Sequence, residues 1–213
     1  DPANTCVSKD DLVKLPLGLL WFGGPTHQKT LPRHGHGPVP QVCGGRLFLE
    51  GPNHLRAYDI YTGLLLWEKE LPGFGKPYDN TAHQPGANAL GSNYVSTADG
   101  IYAAHGDHCL WLDPTTGETK GEFRLPASPG AAGQRSPQWS HLKVWDDLLL
   151  VCAEPVSFTG EAAATWNGAG SKRLAALDRR TGRVLWAKEA QYCFRHNAVT
   201  VGGGKVFAID RAP

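Results

Sequence analysis

An all-β chain made of repeated four-stranded antiparallel units is predicted by three observations. The stretch Leu55–Trp67, reading LRAYDIYTGLLLW, recurs as LWLDPTTGETKG over Leu110–Gly121 and as LAALDRRTGRVLW over Leu174–Trp186. The same order of short apolar runs precedes each copy: QVCGGRLFL, then NYVSTADGIYAA, then HLKVWDDLLLVCAE. No segment keeps a 3.6-residue period, so helix content should be very low. Four-stranded units that repeat together with their turn signals describe a β-propeller, whereas a β-sandwich leaves the self-similarity unexplained.

In chain order, residues 1–16 read as an irregular lead-in and residues 17–213 as the repeats. LGLLW at Leu17–Trp21 matches the strand that closes a repeat, without a turn motif of its own. Pro25–Pro40, which contains RHGHGPVP, is too rich in Pro for a central strand. Gln41–Leu49 hinges on Gly44-Gly45 and reads as a hairpin feeding directly into the first full copy. The second copy follows Asn93. The third follows His141 and carries a long insert around Ala162–Gly170. A fourth, HNAVTVGGGKVFAID, begins at His196 and is incomplete. The total is about three full blades plus partial ones, so the chain reads as part of a larger ring.

Composition narrows the function classes. Lys and Arg number 21 against 20 acidic residues, with no basic block, so charge gives no support to a nucleic-acid partner. No apolar run approaches the ~18 residues of a membrane-spanning helix. The 26 glycines and 16 prolines suit a fold with many turns. The 5 cysteines are scattered without a CxxC pair, and they read as small buried hydrophobes.

The Asp-x-x-Thr-Gly motif has a physical job that needs no ligand. Asp59, Asp113 and Asp178 open each turn and can accept from backbone N–H groups two residues on. Gly63, Gly117 and Gly182 supply the positive φ of a bulged hairpin. Thr62, Thr116 and Thr181 tie the turn through their hydroxyls. Trp67 and Trp186 offer flat surfaces to a neighbouring blade. These residues are therefore assigned turn and docking roles.

On AYDIYTGLLLW and ALDRRTGRVLW, the chain resembles the tryptophan-docking repeats of the PQQ-like β-propeller superfamily. That superfamily includes the quinoprotein alcohol dehydrogenases and the BamB-type outer-membrane assembly lipoproteins. LLWFGG, RHGHGP and DNTAHQPGAN also look like segments of PQQ-like repeat proteins of planctomycete-type bacteria. The resemblance implies a propeller that closes with seven or eight blades and a place in the cell envelope or periplasm. It also implies that an enzyme of this type would hold PQQ with calcium through Glu, Asn and Asp side chains. Glu50, Asp79, Asp107, Glu154 and Glu161 are the acidic candidates outside the turns, and none stands in a recognisable ligand motif. No cofactor is therefore assigned.

Function is expected in the segments that do not repeat. His36, His141 and His196 each fall just before the first strand of a repeat, and His83 lies in a loop before another. First strands line a propeller's channel, so these side chains are expected to converge at one mouth of it, joined by Arg33, His34, Trp139 and Arg195. The expected role is a non-catalytic scaffold that binds a protein partner or small ligand through its loops. An unclosed propeller edge offers a further place to pair. The alternative is a quinoprotein-type oxidoreductase with its active site partly outside this chain.

Overall fold

A computed structural model describes residues 18–79, 87–127, 136–156 and 170–211. The expected lead-in over 1–16, His83, Glu161 and nearly all of the insert lie outside the described residues.

Three four-stranded antiparallel sheets and one two-stranded sheet follow each other along the chain. The first holds β1 (Gln41–Cys43), β2 (Arg46–Gly51), β3 (His54–Asp59) and β4 (Leu65–Glu70), paired in sequence order. The second holds β5 (Tyr94–Ser96), β6 (Ile101–His105), β7 (His108–Leu112) and β8 (Thr119–Phe123). The third holds β9 (Trp139–Trp145), β10 (Leu148–Val156), β11 (Gly170–Asp178) and β12 (Val184–Arg195). Strands β13 (Thr200–Gly202) and β14 (Lys205–Phe207) form the last hairpin. The α-helical part of the described residues is a single turn, α1 (Ala87–Leu90). This is an arc of propeller blades.

Each middle blade is buried on both faces, which is why its strands read as apolar runs and not as alternating patterns. Ile101 and Ala103 of β6 pack with Phe48, Leu55 and Trp67 of the first sheet. Tyr102 and Ala104 of the same strand pack with Leu142, Leu149 and Leu177 of the third. Cys152 and Leu174 then meet Val199, with Val206 packed against them.

The repeated turn is closed by its own side chain. Asp59 Oδ1 accepts from the N–H groups of Tyr61 (2.9 Å) and Thr62 (2.8 Å) and from the Thr62 hydroxyl (2.9 Å). Asp178 does the same for Arg180 and Thr181, and Asp113 accepts from the Thr115 and Thr116 amides. These donors hold all three carboxyls below the usual carboxylate range. Gly63, Gly117 and Gly182 sit at φ 72°, 75° and 72°. A register shift falls one rung before each turn, at Ala57/Tyr58, Trp111/Leu112 and Ala176/Leu177, which marks a bulge.

Blades are stapled by an aromatic side chain that lies on the next blade's turn glycine. Trp67 Nε1 donates to the Pro114 carbonyl (3.1 Å), and its ring lies where a Cβ on Gly117 would sit, 2.7 Å from a ring carbon. Trp21 repeats this on the first blade, donating to the Ile60 carbonyl (2.8 Å) with its ring over Gly63. LGLLW was expected as a strand, yet residues 18–21 are not one. No described strand precedes them to supply a hydrogen-bonding neighbour, so only the docking indole is retained.

The third junction solves the same problem differently. The expected Trp position of β8 is occupied by Gly121, which pairs with Trp111 as Trp67 pairs with Ala57. Phe123, two residues on and so on the same strand face, lays its ring over Gly182. Phenylalanine has no N–H to donate. Instead the Tyr102 hydroxyl donates to the Arg179 carbonyl (2.9 Å), which holds the position of Ile60 and Pro114 in its turn. The Arg179 guanidinium, paired with Asp99 at 2.8 Å, adds a cross-blade ion pair.

Candidate functional site

A cleft of about 950 Å³ opens where the segments before the inner strands meet. Phe74, Tyr78, Asn93, Trp139, Ser140 and His196 contribute to its lining. They come from the loop after β4, the entry to β5, the start of β9 and the turn after β12, so three successive blades build it. Glycine at 73, 75 and 106 lets the backbone form part of the wall.

His196 is held on both sides of its ring. Nδ1 lies 2.7 Å from the Leu90 carbonyl, which can only accept, so Nδ1 carries the proton. Nε2 therefore accepts from the Ser171 hydroxyl at 2.7 Å. Ser140 sits 3.0 Å from Ser171 and donates to the Cys152 carbonyl (2.8 Å). His141 stacks at a tilt on His196, with ring centroids 5.7 Å apart, and its Nδ1 donates to the Ser92 carbonyl (3.1 Å). Burial pushes His196 down to about 3 and His141 down to about 4. Both imidazoles are neutral at pH 7. Although Ser171 and His196 have the spacing of a nucleophile and its base, a base titrating so low drives proton abstraction poorly near neutral pH. Ser171 is also fully buried.

Behind the cleft wall lies Glu50, 2% exposed, accepting at Oε1 from Asn93 Nδ2 (2.7 Å). Burial raises its pKa to about 8. Four buried polar atoms here have no hydrogen-bond partner among the described residues: Glu50 Oε2, Asn93 Oδ1, Trp139 Nε1 and His141 Nε2. Native structures rarely leave such groups unmet, so each asks for an explanation.

The expected convergence is only partial. Trp139 and His196 line the cleft, and His141 packs against His196. His141 lies within β9 and not ahead of it, because that strand starts at Trp139. Arg195 ends β12 as a buried residue and does not line the cleft. Arg33 and His34 lie on a 3-10 turn with His36 at its end, and none of the three lines the cleft. His36 adopts the left-handed conformation (φ 48°), and its carbonyl accepts from Ala87 N (2.7 Å). Phe74, Asn93 and Ser171 carry no sequence signal as site residues because each sits inside an ordinary repeat or turn, and Glu50 stands out only as one of the acidic candidates outside the turns. The Tyr78 turn and the Ser-Pro-Gln-Trp-Ser-His segment belong to the stretches of the sequence that do not repeat.

The described residues do not fit a PQQ–calcium centre. Calcium takes about six to eight oxygen ligands. No group of three or more His, Cys, Asp or Glu among the described residues is placed to hold a metal, and Glu50 is mostly protonated at pH 7.

No curated protein matches the chain. Among solved structures, BamB from Moraxella catarrhalis is similar at 14% identity and a TM-score of 0.44, covering 81% of this chain and 54% of that one. The quinohemoprotein alcohol dehydrogenase ADHIIG from Pseudomonas putida HK5 is similar at 17% identity and a TM-score of 0.48, covering 81% and 22%. The computationally designed Ika8 protein is similar at 11% identity and 0.49, covering 80% and 42%. The chain thus spans about half or less of each of these proteins. The family model described as outer membrane protein assembly factor BamB matches residues 22–211, and the chain belongs to that family of PQQ-like-repeat β-propellers.

Proposed function

We propose that this chain is a non-catalytic propeller module of the bacterial cell envelope that takes a segment of a partner protein into the cleft. The observation that carries the reading is the cleft wall. Pro72, Leu90, Pro155 and Val156, none of them buried, supply apolar surface, and Asn93 and Trp139, each at least nine-tenths buried, keep a polar atom uncommitted behind it. Binding clefts combine these two features: apolar area for affinity and a few placed polar groups for specificity. The family description, an outer membrane protein assembly factor, supports a protein partner and an envelope location. Exposed Leu19, Phe22, Leu64, Leu65, Phe207 and Ile209 leave apolar surface outside the cleft, on which further chain or a partner can pack.

Panning a random peptide library against the protein tests this reading. Enriched peptides should lose binding when Ser140→Trp fills the cleft while the circular dichroism spectrum is kept. Peptides indifferent to that plug would contradict it. So would dye-linked alcohol oxidation on addition of PQQ and calcium, which would favour the oxidoreductase alternative.

A further inference from the structure

The β6–β7 hairpin sets two histidines side by side at the cleft. His105 and His108 are register partners, so they share one face of the hairpin, and both line the cleft without being buried. Each ring is held by one of its nitrogens. His105 Nε2 lies 2.8 Å from the Pro72 carbonyl, which can only accept, so Nε2 carries the proton. His108 Nδ1 donates to Asp107 Oδ1 (3.0 Å), and Asp107 Oδ2 accepts from Arg124 (2.9 Å). His105 Nδ1 and His108 Nε2 are left as lone pairs with no hydrogen-bond partner among the described residues. Metal-ligating histidines are oriented in this way, with the other ring N–H tied to a carboxylate or a backbone carbonyl. The spacing fits as well. With metal–nitrogen bonds of about 2.0–2.1 Å, two imidazoles on one tetrahedral ion have ring centroids roughly 5 Å apart. Here the centroids are 5.4 Å apart, with the ring planes at 86°.

We propose that His105 Nδ1 and His108 Nε2 together bind one divalent transition-metal ion of the class that imidazole favours, zinc or nickel, at the cleft. Two protein ligands are fewer than a closed structural site uses, so water or a donor from a guest fills the remaining positions. That agrees with the lack of any three-residue ligand group among the described residues. Calcium and magnesium, which take oxygen ligands, have no such set here. Asp107 is a positioning residue: it fixes the tautomer and orientation of His108, and Arg124 holds Asp107 in turn. The ion needs no partner protein, so the site stands or falls apart from the peptide reading above.

Isothermal titration of the chain with zinc chloride, with nickel and calcium chlorides as competitors, tests the proposal. Zinc should bind saturably, nickel should compete for the same site, and calcium should not. His105→Ala and His108→Ala should each weaken zinc affinity by about tenfold or more, and the double variant should lose little beyond either single one, because each change removes the same site. Asp107→Asn should weaken it by roughly tenfold while zinc still binds. Because the chain has 9 histidines, His54→Ala serves as the control and should leave the affinity unchanged. Circular dichroism checks that each variant is folded. A long-range 15N spectrum of the unaltered chain needs no variant: zinc should shift the His105 Nδ1 and His108 Nε2 signals together. Undiminished affinity in either single variant, losses that add in the double variant as two separate sites would give, displacement of zinc by calcium, or ring signals that stay in place would each overturn the metal site.

Discussion

His141, His196 and Glu50 hold opposite protonation preferences within one small region, and their titrations set how the protein responds to pH. Unfolded imidazoles titrate near 6.5, but these two wait until about 4 and about 3 in the fold. Their folded pKa values are depressed, so the unfolded chain binds more protons below pH 6.5 and stability falls as pH drops through that window. Glu50 works the other way. Its folded pKa is raised from 4.5 to about 8, so its contribution is complete below the unfolded value and is lost as pH rises through 8. The two trends cross near the unfolded imidazole value of 6.5. Stability should therefore peak around pH 6.5 and fall by about 2 kcal/mol, roughly 5 °C in Tm, on going to pH 4.5. Melting curves across pH 4–9 check this, and His196→Asn should flatten the acid limb. A Tm that does not change between pH 6.5 and 4.5 would contradict the neutral, buried histidine pair.

At the scale of the element, the recurring device is an aromatic ring on a glycine plus one hydrogen bond to the residue after the turn aspartate. Trp21 and Trp67 carry both parts, while the third junction divides them between Phe123 and Tyr102. Tyr102→Phe keeps the ring and removes the hydroxyl, which donates to the Arg179 carbonyl and accepts from the Arg179 guanidinium (3.3 Å). It should cost about 1–2 kcal/mol, the penalty for leaving a buried carbonyl unmatched. Tyr61→Phe, at a 67% exposed position, should cost nothing measurable. Chemical denaturation of both variants gives the comparison, and equal midpoints would show that the Tyr102 hydroxyl does not staple the blades. The turns were legible in the sequence because all their parts lie within five residues. The split staple was not, because Tyr102 and Arg179 are 77 residues apart and Tyr102 lies outside the motif.

Across the whole molecule, the propeller was legible from self-similarity, since strand order and turn recur together. The cleft was legible only in pieces. Its polar groups are joined over long separations, 43 residues for Asn93–Glu50 and 106 for His196–Leu90. Such pairings depend on how blades are set against one another, and no local pattern encodes that. Histidines were grouped by their nearness to first strands, yet His36 lies five residues before Gln41 of β1 while His141 lies inside β9. A difference of that size in register sends side chains to different places, so among the described candidates His141 and His196 meet. The repeats build an arc of blades, and the segments between them line the cleft.

Trp139 offers the most direct check on that arrangement, because its indole N–H is buried at the cleft and unmatched among the described residues. In a 15N-labelled sample the chain's 7 tryptophans give separate indole signals. On titration with a peptide selected in the panning the Trp139 indole resonance should shift saturably. The Trp67 resonance, tied to Pro114 at a blade junction, should stay in place. A Trp139 signal that does not move, or one that moves no more than Trp67, would contradict the cleft as the binding site.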